Sequence, residues 1–180
     1  MTYIHLKKHP KAHPKSSKIN LKPHDLLRNN HVKRWHIVNT TTDQSVAEHS
    51  FNVAVLAGFL AKKKGLPLQE VTIAALYHDV GEALTGDIPT VLKRAIGYKD
   101  PIEGRLSYLG MSIEITDPQI KEVVKQADLI DAVHFLKLYG VGIHAEQVMS
   151  EIAVLITDPD ALELLGKLLM GDPTTLDKVL

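Results

Sequence analysis

Ala74-Ala75-Leu76-Tyr77-His78-Asp79-Val80-Gly81-Glu82-Ala83-Leu84-Thr85-Gly86-Asp87 is the stretch on which the reading of this chain turns. Its apolar residues recur at helical spacing, and Leu68 to Leu84 reads as one helix, opened by Pro67 and ended by Gly86. His78, Asp79 and Glu82 stand where a purely structural helix favours Leu or Ala. An imidazole and a carboxylate side by side offer N and O donors that suit a divalent transition metal. Glu82 follows His78 by four positions, so on a continuous helix it lies on the same face one turn along. A carboxylate there can orient water or move a proton beside a metal.

Helical signals extend outward on both sides. Upstream, Ser45 and Glu48 form a capping-box pattern before a run rich in apolar residues on every side, Val46 to about Lys64, which Gly65 stops. His49 sits in its first turn. Downstream, Asp117-Pro118 is an N-cap and first-turn pair that opens a helix to about Tyr139. Val123, Val124, Ala127, Ile130, Val133 and Leu136 mark its apolar side, Asp128 falls at the edge of that side, and Asp131 and His134 follow at helical spacing. Further helices are expected from Asp25 to Trp35, from near Pro89 to Gly97 with Asp87 as cap, from Asp100-Pro101 to Leu109, from Gly142 to Ile156 and from Pro159 to Met170. Strand signals are nearly absent. The expected architecture is an all-α helical bundle with short loops.

Composition narrows the function. The chain has 180 residues, 44% of them hydrophobic, enough for one domain with a sizeable core. Its formal net charge of +0 gives the whole molecule no strong pull toward nucleic acid or an anionic membrane, so nucleic acid is not the expected partner. No cysteine is present, which removes disulfides and thiolate chemistry, fits a cytoplasmic setting and leaves N and O ligands for any metal. The longest apolar run, Val53 to Ala61, is too short to span a bilayer, and no export signal is visible. Residues 1 to 25 form a basic N-terminal arm: Lys7, Lys8, Lys11, Lys15, Lys18 and Lys22 alternate with His5, His9 and His13, and acidic residues begin only at Asp25. It reads either as an anion-attracting arm or as a solvated tail. Residues 26 to 180 form the single remaining domain.

His49, His78, Asp79 and Asp128 together offer two imidazoles and two carboxylates from separate helices, a set that binds a divalent ion and leaves positions open for water and a phosphate oxygen. Glu82 and Asp87 are the candidates for handling water and leaving-group protons. Arg34-Trp35 can clamp a phosphate or stack on a base, and Lys93 and Arg94 can reach a phosphate from their short helix. As purely structural contacts, so many ionisable groups near apolar helix faces would be costly without a shared cation.

The order Arg34-Trp35, Glu48-His49-Ser50, Tyr77-His78-Asp79-Val80-Gly81-Glu82-Ala83-Leu84-Thr85-Gly86-Asp87-Ile88-Pro89-Thr90 and Lys125-Gln126-Ala127-Asp128 resembles the HD-domain phosphohydrolases. It is most similar to the branch containing bacterial 5′-deoxynucleotidases, over roughly residues 30 to 140. The compact length and the triplet Trp35-His36-Ile37 bring it nearest to the small phage dATP triphosphohydrolases of viruses that replace adenine with diaminopurine. The resemblance implies metal binding by His49, His78, Asp79 and Asp128, a catalytic Glu82 assisted by Asp87, and a nucleotide pocket lined by Arg34, Trp35, Ile37 and Lys93. It implies cobalt, zinc, manganese or iron as the metal, a small deoxynucleotide as the partner, an even-numbered homo-oligomer, and the cytoplasm of a bacterium or phage-infected host. The expected reaction removes 5′ phosphates from 2′-deoxynucleotides, dATP going to deoxyadenosine, with deoxynucleoside monophosphates as the alternative substrates. The reading of another class is a non-catalytic nucleotide-binding module. A degenerate binder is expected to have lost part of the ligand set, which this chain retains.

Overall fold

The computed structural model describes residues 22–98 and 117–170. In chain order these form α1 (Pro23–Leu26), a 3-10 turn (Leu27–Asn30), α2 (Val46–Lys64), α3 (Leu68–Tyr77), α4 (Glu82–Thr85), α5 (Thr90–Ile96), α6 (Pro118–Tyr139), α7 (Gly142–Ala153) and α8 (Pro159–Met170). The all-α expectation holds: among the described residues the only β-type pairings are isolated bridges, Lys33 with Ser45 and Thr40 with Gly140. No helix among them is long and apolar enough to cross a membrane.

The core lies where α2, α3 and α6 meet. Val53, Ala57, Leu60, Val71, Ala75, Val123, Ala127 and Ile130 are buried there together. The alanines let the helix backbones approach closely, so small residues set the spacing while Leu60 and Ile130 fill the layer between them. α8 closes one end, adding Ala161 and Leu165 to the same core. At that end Lys64 Nζ bridges Asp158 Oδ2 at 2.7 Å and Asp160 Oδ2 at 3.0 Å, fastening the C-terminus of α2 to the start of α8.

Several helix boundaries fall where local chemistry placed them. Ser45 and Glu48 form the reciprocal capping box at the start of α2, and Gly65 ends that helix in the left-handed region at φ 66°. Asp117 caps α6 through the Gln119 N–H, with Pro118 in the first turn. Others differ. The expected helix from Asp25 to Trp35 is only α1 and the 3-10 turn, and Arg34 and Trp35 lie in an irregular segment beyond it. The expected helix to Leu84 stops at Tyr77. Asp87 does not cap α5, whose N-cap is Pro89. α7 ends at Ala153 rather than Ile156. Phe51, read as part of an all-round apolar helix, faces outward and is 63% exposed. The expected helix from Asp100 to Leu109 and nearly all of the basic arm lie outside the described residues.

Candidate active site

The first turn of α2 delivers His49. Ser45 Oγ accepts the Glu48 N–H at 3.2 Å and Glu48 Oε2 accepts the Ser45 N–H at 2.7 Å, so the turn that carries His49 is pinned at its start. The ring is fully buried, and its Nδ1 lies 2.6 Å from Asp131 Oδ2 on α6. Burial alone would raise the Asp131 pKa, but hydrogen bonding and charge from His49, the Arg34 cation and the Asn52 amide hold it below the usual carboxylate range. An ionised carboxylate only accepts, so Nδ1 carries the proton and Nε2 presents a lone pair. That Nε2 stands 3.1 Å from Asp128 Oδ1 and 3.6 Å from Asp79 Oδ2.

His78 and Asp79 reach the same place because the chain breaks its α-helical ladder there. Beyond Tyr77 the backbone bonds span three residues: Val80 N–H to Tyr77 O at 3.1 Å, Glu82 N–H to Asp79 O at 3.0 Å, and Leu84 N–H to Gly81 O at 3.1 Å. This tighter winding turns adjacent side chains through a larger angle than an α-helix does. His78 Nδ1–H donates to the Ala75 carbonyl at 2.7 Å, so Nε2, 3.2 Å from Asp79 Oδ2, is the nitrogen that offers a lone pair once a metal displaces the ring's second proton. The imidazole centroids are 5.2 Å apart.

One donor atom each from His49, His78 and Asp79 lies within 4.8 Å of the others, a spacing that could hold a metal ion. Asp128, half-buried, adjoins this group through His49. Both Nε2 atoms are buried near carboxylate oxygens yet make no hydrogen bond. Buried polar nitrogens without a partner are costly, and a shared cation satisfies both at once. The donor set therefore fits a first-row divalent metal.

The charges are strongly coupled. Burial would lower the His78 pKa, but the Asp79 carboxylate overrides it and pushes it up to about 9. Asp79 in turn is held far below the ordinary carboxylate range: burial opposes this, and the charge of His78 outweighs it. Glu82, 5% exposed, is pushed up to about 7, mainly by burial and then by the negative charge of Asp79. Lys93 Nζ on α5 donates to Glu82 Oε1 at 2.8 Å, whereas Glu82 Oε2 is buried with no hydrogen-bond partner. Asp87 is half-buried, and its charge acts on both Glu82 and Lys93. Lys93, expected to point at phosphate, is thus brought to the site with Glu82 as its partner.

Arg34 and Trp35 border the cluster from the other side. Arg34 Nη2 is 3.9 Å from Asp128 Oδ1, and its guanidinium lies 5.0 Å from the Trp35 ring centre. Trp35 stacks on Phe135 of α6, with centroids 6.0 Å apart and planes 5° from parallel. Its backbone is left-handed, φ 64°, a strained state for a bulky side chain that persists only when its surroundings fix it. Ile37 lies on the following turn and is 56% exposed.

Three polar residues to which the sequence assigned no role organise this wall: Gln44, Asn52 and Asp131, the last noted only for its helical spacing from Asp128. Gln44 Oε1 accepts from Trp35 Nε1 at 2.9 Å and from Arg34 Nη1 at 3.2 Å, while its Nε2 donates to Asp131 Oδ2 at 2.9 Å. Asn52 Nδ2 donates to Asp131 Oδ1 at 2.9 Å. A signal for two of them was present: Asn52 follows His49, and Asp131 follows Asp128, by three positions, placing each polar pair on one helix face.

Residues 24–100 match the family described as 5′-deoxynucleotidase YfbR-like. The chain is 37% identical over 134 residues to a dATP triphosphohydrolase of Cyanophage S-2L, covering 69% of this chain and 75% of that protein. It is 34% identical over 132 residues to a 5′-deoxynucleotidase of Vibrio cholerae, covering 59% of this chain and 68% of that one. A solved structure of the Cyanophage S-2L HD phosphohydrolase DatZ, bound to dA and one catalytic Zn2+ ion, superposes with a TM-score of 0.63 at 28% identity, over 88% of this chain and 98% of that chain.

Proposed function

This chain belongs to the YfbR-like HD phosphohydrolases, a family of metal-dependent enzymes, and from that premise we propose that it removes 5′ phosphates from 2′-deoxynucleotides, converting dATP to deoxyadenosine. The observation that carries the reading is the pair of unsatisfied, buried imidazole nitrogens of His49 and His78 beside Asp79, with buried Glu82 in the next turn. Identity to phage dATP triphosphohydrolases favours the triphosphate of deoxyadenosine.

His49, His78, Asp79 and Asp128 would hold the metal, and zinc is the first ion to test, with cobalt, manganese and iron as the others that N and O donors admit. Once bound, the ion supplies Lewis-acid polarisation of the phosphoryl group and a hydroxide near neutral pH. Glu82 is the proton-handling group: it lies beside Asp79, one of its carboxyl oxygens is buried without a partner, and its burial favours holding a proton. Lys93 keeps Glu82 oriented and places a cation where an α-phosphate oxygen would gather charge. Asp87 assists by its charge on that pair. Arg34 and Trp35, with Ile37 at the outer edge, would receive the nucleotide. Hydrolysis then breaks the bond from phosphorus to O5′, water adds to phosphorus, and O5′ leaves as the protonated 5′-hydroxyl of deoxyadenosine. In keeping with the family, we place the enzyme in the cytoplasm of a bacterium or phage-infected host as an even-numbered homo-oligomer.

A second reading, hydrolysis of deoxynucleoside monophosphates, is favoured by the family match and by the Vibrio relative. Chromatography of products after metal reconstitution separates the two, with dATP, dAMP, ATP, dGTP and 2-amino-dATP in parallel. Conversion of dATP to deoxyadenosine and triphosphate, with dAMP untouched, is the expected result. Turnover of dAMP and other deoxymonophosphates without turnover of triphosphates replaces it by the second reading.

A further inference from the structure

Asp131 is the most heavily engaged acid of the site, and it touches no predicted ligand except His49. Its Oδ2 receives His49 Nδ1 at 2.6 Å and Gln44 Nε2 at 2.9 Å, and its Oδ1 receives Asn52 Nδ2 at 2.9 Å. At 2% exposure it is among the most buried charges described, and Arg34 Nη1 lies 3.7 Å away. Gln44, 3% exposed, is the link outward: its amide nitrogen faces Asp131 and its amide oxygen takes both Trp35 Nε1 and Arg34 Nη1. The main chain repeats the connection, since the Gln44 carbonyl accepts the Arg34 N–H at 2.9 Å and Val32 O accepts the Val46 N–H at 3.0 Å.

We propose that Asp131 and Gln44 are positioning residues that join the metal-facing and nucleotide-facing halves of the site. Asp131 fixes the tautomer and the ring plane of His49, so that the Nε2 lone pair points into the cluster. Gln44 fixes Asp131 and holds the Arg34–Trp35 element to the same acceptor. The inference rests on the proposed metal reading. Its chemistry is that of a ligand's outer partner, which orients the imidazole and raises its basicity. The acid can do this only as an acceptor. An asparagine in its place would offer a neutral amide whose NH2 can face His49 Nδ1, favouring the tautomer with hydrogen on Nε2, the wrong one for binding through that atom. Gln44 is likewise directional: one acceptor serves two donors, and one donor serves the acid, a division that neither Glu nor Met reproduces.

The test is zinc affinity, by competition with a chromophoric chelator, for the full-length wild type, Asp131→Asn and Gln44→Met, with thermal unfolding followed alongside. Asp131→Asn is expected to bind zinc about ten- to hundredfold more weakly while remaining folded at the assay temperature. Gln44→Met is expected to lose less, because His49 keeps its direct bond to the acid. An Asp131→Asn protein that binds zinc as the wild type does overturns the inference and leaves the metal reading standing. A wild type that binds neither zinc nor cobalt, manganese or iron overturns both. Should Asp131→Asn fail to fold, imidazole nitrogen NMR of zinc-loaded wild type decides instead. A protonated His49 Nδ1 with Nε2 bound to metal supports the assignment, and binding through Nδ1 overturns it.

Discussion

The wall built by α2 and α6 and the segment from His78 to Lys93 bring ionisable groups to one cluster and treat them in opposite ways. On the wall, the bonds of His49 Nδ1, Asp131, Asn52 and the loop residue Gln44 are mutually answered, on helices with continuous ladders and a capped start. In the segment, the α-helix gives way to three-residue turns, and His78 Nε2 and Glu82 Oε2 are left buried without partners. The wall answers every bond behind His49 and leaves open only the Nε2 that faces the cluster, whereas the segment leaves both His78 Nε2 and Glu82 Oε2 open. A buried group with all its bonds made is held in place and inert, whereas a buried group with an orbital unanswered stays available to an ion or a substrate.

The most severe way to break the contrast is Asp79→Asn, which removes the anion that both histidines face. Loss of stoichiometric zinc and of all measurable hydrolysis is expected, with far-UV circular dichroism still helical. Full activity in that variant would falsify the metal assignment. Next is Glu82→Ala. Zinc and nucleotide affinity should stay near wild type while turnover falls by about 10²–10⁴-fold. Unchanged kcat removes Glu82 from the chemistry.

A pH series sharpens the comparison without mutation. In the metal-free protein Glu82 (about 7, against 4.5) and His78 (about 9, against 6.5) both hold protons more tightly than in the unfolded chain. Their contribution to stability is complete below the unfolded values and is lost as pH rises through about 7 and then about 9. The unfolding midpoint of metal-free protein should therefore fall across that range. Saturating zinc, which keeps His78 deprotonated, should remove the alkaline part of the fall and add stability by mass action. A metal-free midpoint that rises with pH over this interval contradicts the coupling of His78 to Asp79. On the wall, Asp131 has the opposite sign: its lowered pKa gives stability that is present above the unfolded value and lost only as pH falls toward acid.

The smallest effect belongs to the clasp at the far end of α2. Lys64→Met removes ion pairs to Asp158 and Asp160 that are partly open to solvent, and about 0.2–1 kcal/mol of stability is the expected loss. Denaturant unfolding measures it, and turnover should not change. A large loss of activity would mean that the end of the bundle is coupled to the cluster, which the comparison of the two regions does not anticipate.

Much of this was legible from sequence where the cause is local. The capping box at Ser45 and Glu48, the stop at Gly65 and the Asp117-Pro118 start need only a few neighbouring residues, and each appears where the sequence placed it. The all-helical class follows from apolar periodicity, and the expectation that His49, His78, Asp79 and Asp128 meet comes from their ionisable chemistry together with the family resemblance; the structure brings His49, His78 and Asp79 together with Asp128 beside His49. Tertiary structure alone decided the rest. The break after Tyr77 costs α-helical bonds that only docking of the chain around the cluster can offset, so the period of the sequence ran on through it. Trp35 takes a left-handed backbone that no local preference supports; Gln44, nine positions on, and Phe135, a hundred positions on, hold its side chain there. Gln44 itself lies in what reads as an ordinary polar loop. Its role comes from hydrogen bonds to residues ten positions back and 87 positions ahead, and bonds of that span leave no period in the sequence.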